Sequence, residues 1–376
     1  MFATGIGDAF DSAKNDLLEA QIYRGATHAE TVTSFLDFCN RYIKWVPSTT
    51  STRDMPLWML SVFYFVLDQK PIVDLQTPIG PSYIDQSTDL SRWLHRFANS
   101  LGEWMDTEES AELVSTFTDN PEYMVYQYIK PNGGWRSFND FFSRKVNPKY
   151  RPISGPDTVA SPCDAKFDLY RKIDQGSVNF GSETVNLKGF DWPIEKLLQD
   201  VPQHLVEKFN DGIFMHSFLL PNNYHRVHAP VSGKVVTRRK IPGDVYLEVT
   251  ADKDNRNLDE VKAQDYPGYQ WNQARGMWIF DTTDAEMDIG HVVLFAVGMA
   301  QISSVHWDYP EVQDQEGIDV KKGDELGLLK YGGSDYILLF EKDKAYFDDE
   351  EGRECPMPGV LYMQGKALVR KLITKE

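Results

Sequence analysis

Three short stretches of the chain carry residues able to do chemistry together. They are Ser161-Pro-Cys-Asp164, Asn223-Tyr-His-Arg-Val-His-Ala-Pro230 and the glycine-flanked serine of Tyr331-Gly-Gly-Ser-Asp335. A serine hydroxyl is a poor nucleophile until a histidine takes its proton, and the histidine needs a carboxylate to fix its tautomer and stabilise its charge. Asp164, His225, His228 and Ser334 supply those parts. Taken singly, each has an ordinary explanation as a turn residue or a loop or core histidine. Their order along the chain decides nothing, because such constellations are defined by geometry. Ser334 lacks the G-x-S-x-G strand-to-helix elbow. Instead, Gly332 and Gly333 permit backbone angles barred to other residues, which leaves the Gly333 carbonyl open to attack by its own neighbour.

Other chemistries use the same residues. His225-x-x-His228 could bind zinc, but a third ligand would have to come from His216, His291, His306 or a distant carboxylate, with no spacing signal and no cysteine pair, so no metal is expected. Ala229-Pro-Val-Ser-Gly-Lys-Val235 with Val320-Lys-Lys-Gly-Asp-Glu-Leu-Gly327 matches the two-half pattern of biotinyl or lipoyl carriers, though without Met-Lys-Met. A Ser-His-Asp hydrolase with an intact chain is a third reading.

The elements that must position these residues fall into two textures. Val32, Phe35, Leu36, Cys39, Tyr42, Ile43 and Val46 make an apolar helical stripe that stops before Pro47. Trp93, Phe97, Leu101 and Trp104 make a second, and Leu57 to Leu67 a third, opened by Pro56. The texture changes around Pro131-Asn-Gly-Gly134. A short helix is expected after the cap-like Ser137, and then Pro148, Pro152, Pro156 and Pro162 forbid long helices. Beyond lie short β-rich runs at Ile213–Leu220, Gly233–Thr237, Val245–Thr250, His291–Val297, Tyr336–Phe340 and Gly359–Met363, with a helical interlude near Ile194–Phe209. The expected fold is α+β: a helical accessory domain over 1–136 and a β-rich sandwich or barrel-like domain over 137–376.

Composition bounds the partners. With 376 residues, 41% hydrophobic and 25% charged, the chain is an ordinary globular protein. Its net charge of −17 works against nucleic acid and strongly anionic membrane surfaces. The run Trp58–Leu67 is about half of the ~20 residues that a membrane span needs, so stable membrane insertion is not expected. Cys39, Cys163 and Cys355 are an odd, scattered set, and the N-terminus shows no secretory pattern, so a reducing cytoplasmic setting is expected. The acidic run Asp348–Glu351 reads as a solvated loop.

Phe138-Asn-Asp-Phe-Phe-Ser-Arg-Lys145, Arg151-Pro-Ile153, Ser-Pro-x-Asp, Tyr-His-Arg-x-His-x-Pro and Lys-Gly-Asp-Glu-Leu-Gly followed by Gly-Gly-Ser occur in that order. The ordered set, from Ser137 to the C-terminus, resembles the phosphatidylserine decarboxylase family of self-processing pyruvoyl enzymes. The helical first third, with Ser34–Asn40 and Trp104–Ser110, resembles more loosely the extra domain of a soluble branch that includes fungal L-tryptophan decarboxylases. The resemblance implies that Ser334 attacks the Gly333 carbonyl and that the chain splits between them, leaving residue 334 as a pyruvoyl cofactor, with no PLP. It implies His228 as the base for cleavage, oriented by Asp164, and His225 as an assistant in decarboxylation through a Schiff base. The expected substrate is a soluble L-amino acid, aromatic ones included, with phosphatidylserine as the alternative and homo-oligomerisation left open. Two departures stand out: Asp335 replaces the usual Ser or Thr after the cleaved serine, and Cys163, expected to be a packing residue, replaces Ala or Gly.

Overall fold

The computed structural model describes residues 32–51, 55–84, 86–180, 190–245, 249–252, 257–260, 268–298, 305–307, 312–332, 334–347 and 356–371. Gly333, Cys355 and the Asp348–Glu351 run lie outside them.

The helical stripes form α1 (Val32–Ile43), α2 (Pro56–Leu67) and α3 (Asp89–Met105), followed by the short α4 (Val114–Thr118) and α5 (Phe138–Phe142). Helix α2 opens on proline at its first turn, where the missing N–H costs nothing. The Thr88 hydroxyl caps α3 by accepting from Ser91 N, and Ser137 does the same for α5 through Asp140 N at 3.1 Å. Aromatic contacts bind these helices, as where Phe63 stacks on Phe97 with centroids 4.6 Å apart. The same core takes in Phe138, Phe141 and Phe142 of α5 together with Tyr269 and Tyr331. Packing therefore runs continuously across the expected 136/137 boundary. Among the described residues, no helix is long and apolar enough to cross a membrane.

The second part is built from β1 (Thr158–Ala160), β2 (Ala165–Asp174), β3 (Ile213–Leu219), β4 (Arg226–His228), β5 (Gly233–Ile241), β6 (Ala274–Asp281), β7 (His291–Gly298), β8 (Val312–Val320), β9 (Glu325–Leu329), β10 (Ser334–Phe340) and β11 (Ala367–Lys371), with shorter strands between. One antiparallel sheet has the order β8-β5-β6-β7-β10-β3-β2, continued by Ser177–Asn179 and Asp191–Pro193. Strand β10 is buried along its whole length because the sheet is covered on both faces. Tyr336, Leu338 and Phe340 enter a core shared with Val159, Val227, Leu329 and Leu368 of two small sheets, the sandwich-like face. Ile337 and Leu339 enter the opposite core with Ile194, Leu197 and Val206 of two short helices, α6 (Ile194–Leu198) and α7 (Gln203–Val206). The architecture is α+β, as expected.

Candidate active site

Ser334 opens β10, paired with Gly298 of β7 and Leu219 of β3, and is fully buried. Tyr331, three residues before it, is pinned from the helical side. Tyr331 N donates to Asn139 Oδ1 at 2.8 Å, and Tyr331 Oη donates to the Pro56 carbonyl at 2.8 Å and lies 3.3 Å from Tyr42 Oη. Gly332 then takes φ 149°, a value glycine adopts freely.

His225 meets this serine: its Nδ1 lies 3.2 Å from Ser334 Oγ. The other ring nitrogen, Nε2, lies 3.0 Å from the Leu220 carbonyl, which can only accept, so Nε2 carries the proton and Nδ1 offers a lone pair to the serine O–H. Burial, and then the nearby Arg144 charge, pushes the His225 pKa down to about 3, so the ring stays neutral at ordinary pH. Its face stacks on Phe142 with centroids 4.0 Å apart. The loop carrying it is tied twice: Asn223 Oδ1 accepts from Leu220 N, and Leu329 N of β9 donates to the His225 carbonyl at 2.8 Å.

Arg144 braces the same loop from α5's end. Wholly buried, it donates through Nη2 to the Asn222 carbonyl at 2.8 Å, and its guanidinium lies 4.2 Å from the Tyr128 ring centroid. Its motif had been visible, but its link to the histidine loop had no sequence signal.

His228 and Asp164 hold other partners. His228, on β4, donates from Nδ1 to the Gly323 carbonyl and accepts at Nε2 from Tyr224 Oη, both at 2.8 Å. Burial pushes its pKa down. Asp164 is gripped by Arg151 through two hydrogen bonds, Nε to Oδ1 at 2.9 Å and Nη2 to Oδ2 at 2.6 Å, and accepts from Gln364 N at 2.7 Å. Among the described residues, the hydrogen bonds expected between Asp164 and His228 and between His228 and Ser334 are not formed. The physical reason is local: Arg151 occupies both carboxylate oxygens, and the Gly323 carbonyl takes the histidine proton. The two segments nonetheless touch, since His228 N donates to the Pro162 carbonyl at 3.0 Å.

The other residues singled out in the sequence have partners of their own. Cys163 is buried in the sheet core, its thiol pushed far up by burial, so it packs rather than reacts. His216 and His291 turn their rings to carboxylates, Asp168 and Glu341, at 2.8 and 2.9 Å. Among the described residues, no group of three or more His, Cys, Asp or Glu is arranged to hold a metal ion.

A buried serine on a strand start, an imidazole lone pair aimed at its oxygen and a glycine pair before it suit attack on a neighbouring carbonyl. A family profile for phosphatidylserine decarboxylase matches residues 138–358. The chain is 30% identical over 256 residues to the phosphatidylserine decarboxylase proenzyme of Fusobacterium nucleatum, covering 66% of this chain and 76% of that protein. It is 28% identical over 287 residues to the proenzyme of Clostridium botulinum, covering 74% and 86%. It is 30% identical over 268 residues to proenzyme 3 of Schizosaccharomyces pombe, covering 70% of this chain and 25% of that longer protein. With more than half of its length matched and its motifs in the family order, the chain belongs to the phosphatidylserine decarboxylase family of pyruvoyl-dependent carboxy-lyases.

Proposed function

We propose that this chain cuts itself between Gly333 and Ser334 and, once mature, removes the carboxylate of an α-amino acid group. The observation that carries the proposal is the 3.2 Å contact of Ser334 Oγ with His225 Nδ1, whose partner nitrogen is occupied by the Leu220 carbonyl.

Ser334 fits as the precursor of the family's pyruvoyl group, because its hydroxyl is buried, hydrogen-bonded to a neutral base and next in sequence to the glycine carbonyl. His225 draws the Oγ proton as Oγ attacks the Gly333 carbonyl carbon, and the bond to Ser334 N breaks as an ester forms. Loss of the Ser334 Cα proton then expels the Gly333 carboxylate, and water replaces the nitrogen as ammonia. Residues 1–333 and 334–376 result. The His228 role implied by family resemblance needs partners other than those it holds here, so the geometry favours His225 for this first proton transfer. When formed, the pyruvoyl group supplies a ketone that condenses with an amine and accepts the electrons released as CO₂ departs. Residue 334 would be held between Gly298 and Leu219 in the sheet, with His225 beside it to move a proton.

The names of the relatives support phosphatidylserine as substrate, giving phosphatidylethanolamine. A second reading, a soluble amino acid, has its own support: the net charge of −17 opposes approach to an anionic lipid surface, and the helical part before residue 138 lies outside the family match. In either case the reading includes the cytoplasm, where the free, buried Cys39 and Cys163 would stay reduced. Purified protein offered phosphatidylserine vesicles and, separately, free L-amino acids including tryptophan, with released CO₂ measured, tests the proposal. Release from vesicles alone supports the lipid reading, and release from a free amino acid alone supports the second. No release from either, by fully cleaved protein, contradicts both.

A further inference from the structure

Asp335 departs from the serine or threonine usual after the cleaved serine, and it is wholly buried. Alternation along β10 sends its side chain to the face opposite that of Ser334. There its Oδ2 lies 3.1 Å from His216 Nε2 and accepts from Tyr269 Oη at 2.5 Å. The other nitrogen of His216, Nδ1, lies 2.8 Å from Asp168 Oδ2. Asp168 reaches that face because it alternates with Phe167, which enters the other core, and the bulge between Phe167 and Leu169 leaves it opposite no residue of β3. With a carboxylate at each ring nitrogen, His216 must donate from both, which makes it an imidazolium. Burial opposes that charge, but Asp335, Asp168 and their hydrogen bonds override it and push the pKa up to about 10. Burial and the Asp335 charge hold the Tyr269 phenol neutral, as a donor.

We propose that His216 is the counter-charge of Asp335, shared with the partly exposed Asp168, and that His216 and Tyr269 together offset the carboxylate that follows the self-cleaving serine. The inference rests on the self-processing reading of Ser334. Its physical basis is the charge that cleavage creates. Loss of the Ser334 Cα proton spreads negative charge onto the Ser334 carbonyl, which is bonded directly to the Asp335 nitrogen. An unpaired carboxylate one residue away in a dry interior would oppose that charge, and an imidazolium 3.1 Å from the carboxylate offsets its field. A chain with serine or threonine at 335 would not need the histidine, so His216 here acts as a positioning residue paired with the departure at 335.

The test follows the appearance of the two fragments on denaturing gels during cell-free synthesis of the full chain, for the parent and for His216→Gln, Asp335→Asn and the double variant. The expected result is cleavage slowed about tenfold or more in His216→Gln, and restored in the double variant to within about threefold of Asp335→Asn alone. A purely structural role for His216 would leave the double variant as slow as His216→Gln. That result, or a His216→Gln variant that cleaves at the parent rate, overturns the proposal. If His216→Gln fails to fold, the double variant decides: recovered soluble, cleaving protein supports the pairing, and continued failure overturns it. A parent chain that is never cut defeats the self-processing reading and this inference with it, whereas a parent that cuts while either overturning pattern appears defeats this inference alone.

Discussion

Nδ1 of His225 points its lone pair at Ser334 Oγ from 3.2 Å, while Nδ1 of His228, three residues on, gives its proton to the Gly323 carbonyl. Two histidines of one motif thus stand in opposite hydrogen-bonding states. His225→Ala is expected to slow self-cleavage by about a hundredfold or more, the usual contribution of a positioned base. His228→Ala, which loses contacts to Tyr224 and Gly323, should slow it less. Gel densitometry of the two fragments over time measures both, and the reverse ranking would return the base role to His228.

The buried pair of Arg151 and Asp164 gives a stability prediction. Arg151→Met leaves a wholly buried carboxylate with Gln364 N as its remaining partner in the described structure. The loss should be about 3–5 kcal/mol in chemical denaturation of the uncleaved Ser334→Ala background. A loss near zero would mean that Asp164 finds another partner.

Acid should weaken the folded precursor through His225. Its folded pKa, pushed down to about 3, lies below its unfolded value near 6.5, so the unfolded chain binds a proton that the folded chain refuses. The His225 contribution is therefore complete above about pH 6.5 and falls by about 1.4 kcal/mol per pH unit below it, until the folded group itself titrates. His216 has the opposite sign: raised to about 10, it contributes below pH 6.5 and loses that contribution as pH rises through 10. Denaturation of Ser334→Ala at pH 7 and 5.5 checks the first slope, and His225→Phe should flatten it.

Tyr331, three residues before Ser334, is tied to the helices, so Tyr331→Phe removes the bond to the Pro56 carbonyl while keeping the ring in its aromatic cluster. A loss of about 1 kcal/mol is expected, together with slower cleavage, because Tyr331 is held less firmly three residues before Ser334. Thermal melting and fragment formation report the two effects separately.

Much of this site was legible because its residues sit in short ordered motifs, and the helices because their apolar residues repeat at helical spacing. Pro56 marked the start of α2, and observed bounds such as Ile213–Leu219 and His291–Gly298 lie within a residue of the apolar runs. Strand β2 was missed because its outer positions are Lys166, Arg171 and Lys172, so its apolar alternation is broken. Strand β5 runs past Thr237 through Arg238, Arg239 and Lys240 for a similar reason. Which histidine faces Ser334 depends on the turn from Leu220 to Tyr224, and the capture of Asp164 by Arg151 depends on a contact across thirteen residues. Neither leaves a periodic trace. Asp335 was visible only as an oddity, since its partners His216 and Asp168 come from other strands.

Self-cleavage would make residue 334 the new N-terminus of a second chain. Intact mass measurement of purified active enzyme and of Ser334→Ala tests it most directly. Two species are expected in the parent, residues 1–333 and a carbonyl-bearing 334–376, against one uncut and inactive 376-residue chain in Ser334→Ala. A parent that decarboxylates as one unbroken chain, or a Ser334→Ala variant that stays active, would contradict it.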